Sequence, residues 1–470
     1  MTNYYRLKDK YILRGWDKLP YAVIDTKTNT PDFIDAQHFN ALNWCDGRID
    51  TSIPLVSASQ RAIIHEYVEQ GIVEPCAPGQ AITPEQEYKF YPVRYINSVY
   101  WSITGKCNYK CRHCYLSAPD AKYGELPHDV IMSFIPQIAA CGVRQVSISG
   151  GEPLVRSDFF DIVDSLLEHG IRIIEIYSNG TLVNESLLDF LASRGAYPEF
   201  NMSYDGAGWH DWMRGIAGAE KMVDRAFALC REKGFSISAE MCIHRLNKHT
   251  IRDSVNHLAG LGVRSLKISG VIDTESWKAG GESENSLSIS EIYSTFLEYL
   301  PHYYEDNMPL SIVLGGFFFT DLRDPGKFDI PDYKSRKNPD QFICGCSRVH
   351  MYISPDGRVL PCMPMSGTPV HDKMPSIQEQ GLAKCINDSF WFELVNLKQK
   401  DFLAANSECR NCEHVNECSA GCRADALNLD PDNYMGKSPM ICELIKGGWP
   451  QKIISVMKAV NPEIQCINLQ

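Results

Sequence analysis

The chain has 470 residues, 44% of them hydrophobic and 22% charged, with a net charge of −12 at neutral pH. That length exceeds one hydrophobic core and implies roughly two to four domains. The acidic balance argues against general nucleic-acid binding. No apolar run is long enough to cross a membrane, and the N-terminus MTNYYRLKDK lacks the apolar segment of a signal peptide, so a cytoplasmic, reducing setting is expected.

Residues 1–95 open with short strand-like runs at Tyr11–Arg14 and Tyr21–Asp25. Ala36–Cys45 has Phe39, Leu42 and Cys45 at helical spacing and stops at Asp46-Gly47. Ala58–Gln70 predicts a second helix, with Ile63, Ile64, Tyr67 and Val68 on one face and Gly71 as its stop. Ile72-Val73-Glu74 then reads as a strand. The pattern is that of a small winged-helix-like unit. This stretch holds ten basic and twelve acidic residues, which weighs against a DNA-binding winged helix. Pro75 to Tyr95 carries Pro75, Pro78, Gly79, Pro84 and Pro92 and reads as a linker.

From 96 to 320 the pattern changes to alternating strands and amphipathic helices. Strands are predicted near Val99–Thr104, Gln145–Ser149, Ile171–Tyr177, Phe200–Ser203, Ser236–Cys242 and Ser265–Ser269. Helices are predicted near Val130–Cys141, Phe159–His169, Glu185–Arg194, Ala219–Lys233 and Thr250–Leu261. Gly142, Gly170, Gly195, Gly234 and Gly262 each follow a helix, where a left-handed residue ends it. Repeated βα units imply a parallel sheet, here an α/β partial (βα)6 TIM-like barrel. A helix near Ser290–Leu300, capped by Ser290, would close it. Chemistry then belongs at the C-terminal ends of the strands.

The stretch Cys107-Asn108-Tyr109-Lys110-Cys111-Arg112-His113-Cys114 follows the first strand. Three thiolates this close can hold three irons of one cubane, which leaves a fourth iron without a protein ligand here. A zinc knuckle is the alternative, but zinc sites take paired CxxC units summing to four ligands. After the second strand comes Gly150-Gly151-Glu152-Pro153, where two glycines permit close backbone approach and Glu152 can accept from an ammonium. Ser178-Asn179-Gly180-Thr181 follows the third strand. Ser203-Tyr204-Asp205-Gly206, His210-Asp211 and Arg214-Gly215 follow the fourth. Arg214 can fork to a carboxylate or pair with Asp205. Asn247 and Lys267 lie near the ends of the fifth and sixth strands. Cys141, Cys230 and Cys242 read as buried small hydrophobes.

This set resembles the radical S-adenosylmethionine (SAM) superfamily: CxxxCxΦC with His113 before the last cysteine, then GGEP, then the S-x-D-G, H-D and R-G tract of its peptide-modifying branch. The resemblance implies that SAM chelates the open iron. It places His113, Gly150, Gly151, Glu152, Pro153, Ser178, Asn179, Ser203, Asp205 and Arg214 around SAM. Hydrogen abstraction by a 5′-deoxyadenosyl radical is the implied chemistry.

Residues 321–470 begin with a polar bridge, Asp321 to Asp340, and then carry the rest of the eighteen cysteines. Cysteines bunched in a long chain with no export signal point to metal or cluster ligation. Cys344, Cys362, Cys409, Cys412, Cys418, Cys422 and Cys442 stand at spacings that resemble the SPASM domain. Tyr352 to Cys362 supplies its hairpin around Pro355-Asp356-Gly357. The resemblance implies two auxiliary [4Fe–4S] clusters, and so three clusters in the chain. Cys344, Cys362 and Cys422 would hold one, and Cys409, Cys412, Cys418 and Cys442 the other. Cys346 either completes the first set or stands aside, and Cys385 and Cys466 are expected to be non-ligands. Met363 follows Cys362 where sulfatase-maturating SPASM enzymes have an aspartate, which argues against formylglycine formation.

The tract 33–75 resembles a PqqD-like recognition element, which adds a leader peptide as an extra strand. Together these resemblances imply a maturase that makes thioether crosslinks in a ribosomal precursor peptide. Carbon–carbon crosslinking and epimerisation are the alternatives within the family. A small-molecule dehydrogenase and a non-catalytic metal-binding regulator are the alternatives outside it. Expected partners are the precursor peptide, with its leader on residues 1–95, and an electron donor such as ferredoxin or flavodoxin. No nucleic acid and no membrane are expected.

Overall fold

The computed structural model describes residues 3–116, 122–331, 333, 338–418 and 420–467. Part of the polar bridge, residues 332 and 334–337, lies outside the described residues. Two compact units emerge: residues 1–97 with 136–145, and residues 98–135 with 146–470. Among the described residues no helix is long and apolar enough to cross a membrane.

The first unit contains β1 (Tyr5–Leu7), β2 (Tyr11–Asp17), β3 (Leu19–Asp25), β4 (Thr30–Phe33), α1 (Ala36–Leu42), α2 (Ala58–Glu69), β5 (Val73–Pro75) and β6 (Lys89–Arg94). The order β4-β3-β2-β6 forms one sheet, and β1 pairs with β5 in another. Both predicted helices are present, but β1, β4 and β6 were not foreseen. Asp35 caps α1 by accepting from His38, and Ser57 and Gln60 close a capping box on α2. The helices bury Leu42, Ile63, Ile64 and Tyr67 against Leu7, Leu13 and Val23.

The stretch read as a linker is instead built into this unit. Its residues form β6, and buried Gln86 donates to the carbonyls of Leu7, Lys8 and Tyr11. Prolines mark turns there, but one glutamine satisfying three backbone carbonyls ties the segment down.

After the first 97 residues come β7 (Ser98–Ser102), α3 (His128–Ala140, counted with the first unit from Pro136 on), β8 (Gln145–Ser149), α4 (Phe159–Glu168), β9 (Arg172–Ser178), α5 (Glu185–Ser193) and β10 (Glu199–Ser203). They are followed by α6 (His210–Arg214), α7 (Ala219–Glu232), β11 (Ile237–Ile243), α8 (Ile251–Leu261) and β12 (Ser265–Gly270). The six predicted strands lie side by side in chain order, and the five helix-ending glycines all have positive φ. The pairs β7/β8, β9/β10, β10/β11 and β11/β12 are parallel.

The sheet is larger than the expected six strands. After α9 (Glu275–Ala279) and α10 (Ile289–Glu305), strands β13 (Ser311–Leu314) and β14 (Phe318–Phe319) extend one edge. A short β15 (Lys327–Phe328) pairs elsewhere, and β16 (His350–Ile353) and β17 (Val359–Leu360) extend the other edge. The result has ten strands. The hairpin foreseen around Asp356-Gly357 is β16–β17, and its first strand runs parallel to β7. The cap of α10 is Ser288, paired with Glu291, and not Ser290. Both serines fit the propensity, but only Ser288 has an acidic partner three residues on.

Candidate active site and iron–sulfur centres

The loop leaving β7 carries Cys107, Cys111 and Cys114, all partly exposed. The Tyr109 amide donates to Cys107 Sγ at 3.4 Å. Burial pushes the Cys107 thiol up to about 12, and Glu152, Cys111 and Cys114 nearby add to the effect. Three thiols gathered on one short loop form a donor set of the kind that binds iron. The residues therefore fit a cluster.

Three neighbouring turns are stitched to this loop. The first is Gly150-Gly151-Glu152: the amides of Gly151 and Glu152 donate to the carbonyls of Thr104 and Lys106 at 2.8 and 2.9 Å. A Cβ on Gly151 would stand 2.3 Å from the Lys106 oxygen, so only glycine allows this approach. Pro153 follows, buried in a short 3₁₀ turn that Glu152 caps.

Glu152 is fully buried. Its carboxylate accepts from the Leu154 amide (3.1 Å), the Ser178 hydroxyl (3.0 Å) and the Asn179 amide (2.7 Å). Burial pushes its pKa up to about 7. Its carboxylate thereby joins the ends of β8 and β9.

The second turn is Ser178 to Thr181. Asn179 Nδ2 donates to Asn108 at 2.7 Å and lies 4.0 Å from Cys107 Sγ. Thr181 donates to the Tyr109 hydroxyl at 2.6 Å. Two residues of this turn thus hold two residues between the first cysteines.

The third group comes from β10, α6 and β11. Asp205 is fully buried and Arg214 is 8% exposed. They form an ion pair at 2.7 Å, and Arg214 Nη1 donates to Cys111 Sγ at 3.6 Å. Burial opposes the Asp205 charge, but Arg214 beside it holds its carboxyl well below the usual range. The Cys242 amide donates to Asp205 at 3.1 Å, and Asn247 donates to the Asp205 and Cys242 carbonyls. Ser203 ends β10 opposite Glu240, and this network does not run through it.

His113 shares the pocket. Burial, then Arg214, pull its pKa down to about 4, so the ring is neutral at pH 7. Its Nδ1 is buried with no hydrogen-bond partner among the described residues. Ligand atoms of His113, Asp205 and Cys242 lie within 4.8 Å of one another. Cys242 packs against the core cluster of Met213, Val271 and Trp277, as its core reading expects, while its amide and Asn247 also join this network. Their signal was position: both follow the strand-end rule that located the other candidates. Lys267 pairs with Glu240 at 3.0 Å.

The C-terminal cysteines fall into two groups. Burial, then Cys422 and Cys344, push the Cys362 thiol above its usual range, so these three are neighbours. Cys346 is exposed at the start of a 3₁₀ turn, Cys346–Arg348, and Met363 opens another, Met363–Gly367. Cys409, Cys412, Cys418 and Cys442 line one cavity. Its apolar wall includes Phe402, Leu403, Ile441 and Ile445. Cys385 and Cys466 are buried in secondary structure outside both groups.

Comparison with known proteins follows the same division. Residues 101–258 match the radical SAM superfamily, and residues 344–413 match an iron–sulfur cluster-binding domain, SPASM. An AdoMet-dependent heme synthase of Methanosarcina barkeri is 25% identical over 347 residues, covering 72% of this chain and 94% of the relative. The PqqA peptide cyclase of Granulibacter bethesdensis is 24% identical over 337 residues, covering 70% of this chain and 83% of the relative. The structure of Streptococcus suis SuiB bound to the precursor peptide SuiA is similar at a TM-score of 0.64 and 15% identity, covering 94% of this chain and all of that one. The chain thus carries a radical SAM domain followed by a SPASM domain, with the SAM and iron–sulfur chemistry that these imply.

Proposed function

We propose that this chain is a maturase that forms thioether crosslinks in a ribosomally made precursor peptide. The observation that carries the reading is the pairing of cysteine centres within one unit. One is a three-thiol loop at the strand ends; the others are two thiol groups downstream. SAM and the clusters, when bound, supply the hydrogen-abstracting radical and an acceptor for one electron. Cys107, Cys111 and Cys114 would hold the SAM-binding cluster, and Asn179, Thr181 and Glu152 fix the loop that presents them.

The electron balance favours an oxidative product. Removing a hydrogen atom from the peptide leaves a carbon radical. Bond formation to a cysteine sulfur releases the thiol proton and one further electron. The C-terminal centres give that electron somewhere to go.

Support for a peptide substrate comes from the coverage of the likenesses. The peptide-bound structure is matched over 94% of this chain, and the cyclase's name also denotes a peptide substrate. We assign the first unit to leader binding, by analogy with strand addition.

Anaerobically reconstituted protein should hold about twelve irons, three cubanes of four. SAM and reductant should yield 5′-deoxyadenosine, and the precursor should lose two hydrogens per crosslink with one cysteine thiol consumed. A mass loss without thiol consumption would replace thioether formation by carbon–carbon crosslinking. The heme synthase identity favours a second reading, a tetrapyrrole substrate. In that case a porphyrin precursor, and no peptide, would be converted.

A further inference from the structure

We infer that the buried Arg214–Asp205 pair is a redox-positioning device: it sets the reduction potential of the cluster held by Cys107, Cys111 and Cys114. The inference rests on the reading of those cysteines as cluster ligands.

Helix α6 is clamped to the cysteine loop at three points. Arg112 takes the α6 carbonyls, its amide donating to Met213 at 2.9 Å and its Nε to Trp212 at 3.0 Å. Gly215 ends the helix at φ 68°, and a Cβ there would stand 2.9 Å from the Lys110 carbonyl. Arg214 then reaches Cys111 Sγ at 3.6 Å. This is a fixed approach of a helix end to one cysteine.

The guanidinium is also fixed from behind. Its Nε faces Asp205 at 2.7 Å, and Asp205 is itself held by the Cys242 amide on its carboxylate and by Asn247 on its carbonyl. His210, fully buried, accepts the Asp205 amide at 3.0 Å. A paired charge this deep has no room to turn toward another partner without breaking the ion pair, which is costly.

Hydrogen bonds to cluster sulfurs and local charge shift iron–sulfur potentials. Arg214 brings both to Cys111. It stabilises the reduced, more negative cluster and so raises the potential. Asp205 partly offsets it. The two residues therefore act with opposite signs, which a purely structural pair would not do.

The test is an anaerobic EPR redox titration of the reconstituted full chain without SAM, following the cluster signal that changes when SAM is then added. Arg214→Gln should move that midpoint to lower potential, and Asp205→Asn to higher potential. Arg214→Lys, which keeps the charge and is gentler on the fold, should move it down by less than Gln does. The C-terminal cluster signals should not move. An unmoved midpoint in Arg214→Gln, or shifts of one sign in all variants, would overturn the inference. So would a collapse of SAM affinity at constant potential, which would assign Arg214 to the SAM carboxylate. A parent protein with no SAM-responsive cluster signal would instead sink the cluster reading itself.

Discussion

The two cysteine fields are built in opposite ways. Cys107, Cys111 and Cys114 sit on a loop held almost entirely by polar contacts: Asn179 on Asn108, Thr181 on Tyr109, Arg214 on Cys111. Cys409, Cys412, Cys418 and Cys442 surround a cavity walled by Phe402, Leu403, Ile441 and Ile445. The first arrangement leaves donors and charges beside the metal position, suited to a centre that exchanges a polar ligand. The second has a mainly apolar wall that Glu408, Lys437 and Lys446 also line, and would suit a centre that only gains and loses electrons. On the proposed function, chemistry and electron storage would fall to differently walled sites that use the same ligand atom.

Breaking each field in turn should give different losses. Cys111→Ala should abolish 5′-deoxyadenosine formation, a loss on the order of a thousandfold or more, and should remove about a third of the bound iron. Cys412→Ala should remove a similar share of iron yet leave SAM cleavage within about tenfold of the parent, while crosslinked peptide disappears. If Cys412→Ala stops SAM cleavage as completely as Cys111→Ala does, the proposed separation of roles is wrong. Iron analysis and product quantification on the same samples decide it.

A smaller effect sharpens what holds the first field. In Gly151→Ala the new methyl meets the Lys106 oxygen at 2.3 Å, which is backbone and cannot swing away. The turn must retreat, taking with it the Glu152 amide bond to Lys106. We expect a stability loss of about 2–4 kcal/mol in denaturant unfolding and weaker SAM binding. An alanine variant indistinguishable from the parent in both would show that the turn has slack the geometry denies. The second cysteine field should keep its EPR signal in this variant.

Much of this was legible in the residues. The alternation of strands and helices is a strong periodic signal, and the helix-ending glycines at 142, 170, 195, 234 and 262 all took the left-handed conformation expected of them. The strand-end rule then located the loop at Cys107 and the turns at Glu152, Ser178 and Asp205. Less was legible where one side chain overrides composition. Gln86 turned a proline-rich stretch into part of a sheet unit. Strands β13, β14, β16 and β17 were missed as sheet members because they are short, and sheet membership is decided by long-range pairing. Cys242 was read as core because cysteine is usually buried, and its neighbours Asp205 and His113 are distant in the chain.

The smallest effect concerns the platform beneath the first field. Arg156 is buried and donates to the Ile103 and Leu126 carbonyls, which flank the cysteine loop in the chain. Asp158 grips it from the other side with bonds of 2.7 and 2.8 Å. The Arg156 hydrogen bonds, against burial and helped by His128, lower the Asp158 carboxyl from 3.8 to about 2. A depressed carboxyl stabilises the fold above its unfolded value and loses that contribution as pH falls toward its folded value. Asp158→Asn should therefore cost about 1–2 kcal/mol near pH 6. The gap between parent and variant should shrink by about half at pH 3, because the unfolded parent is by then largely protonated. Urea unfolding of both proteins across that range measures it. A gap that stays constant with pH would mean that Asp158 acts by shape and not by charge, and that the loop's support does not depend on ionisation.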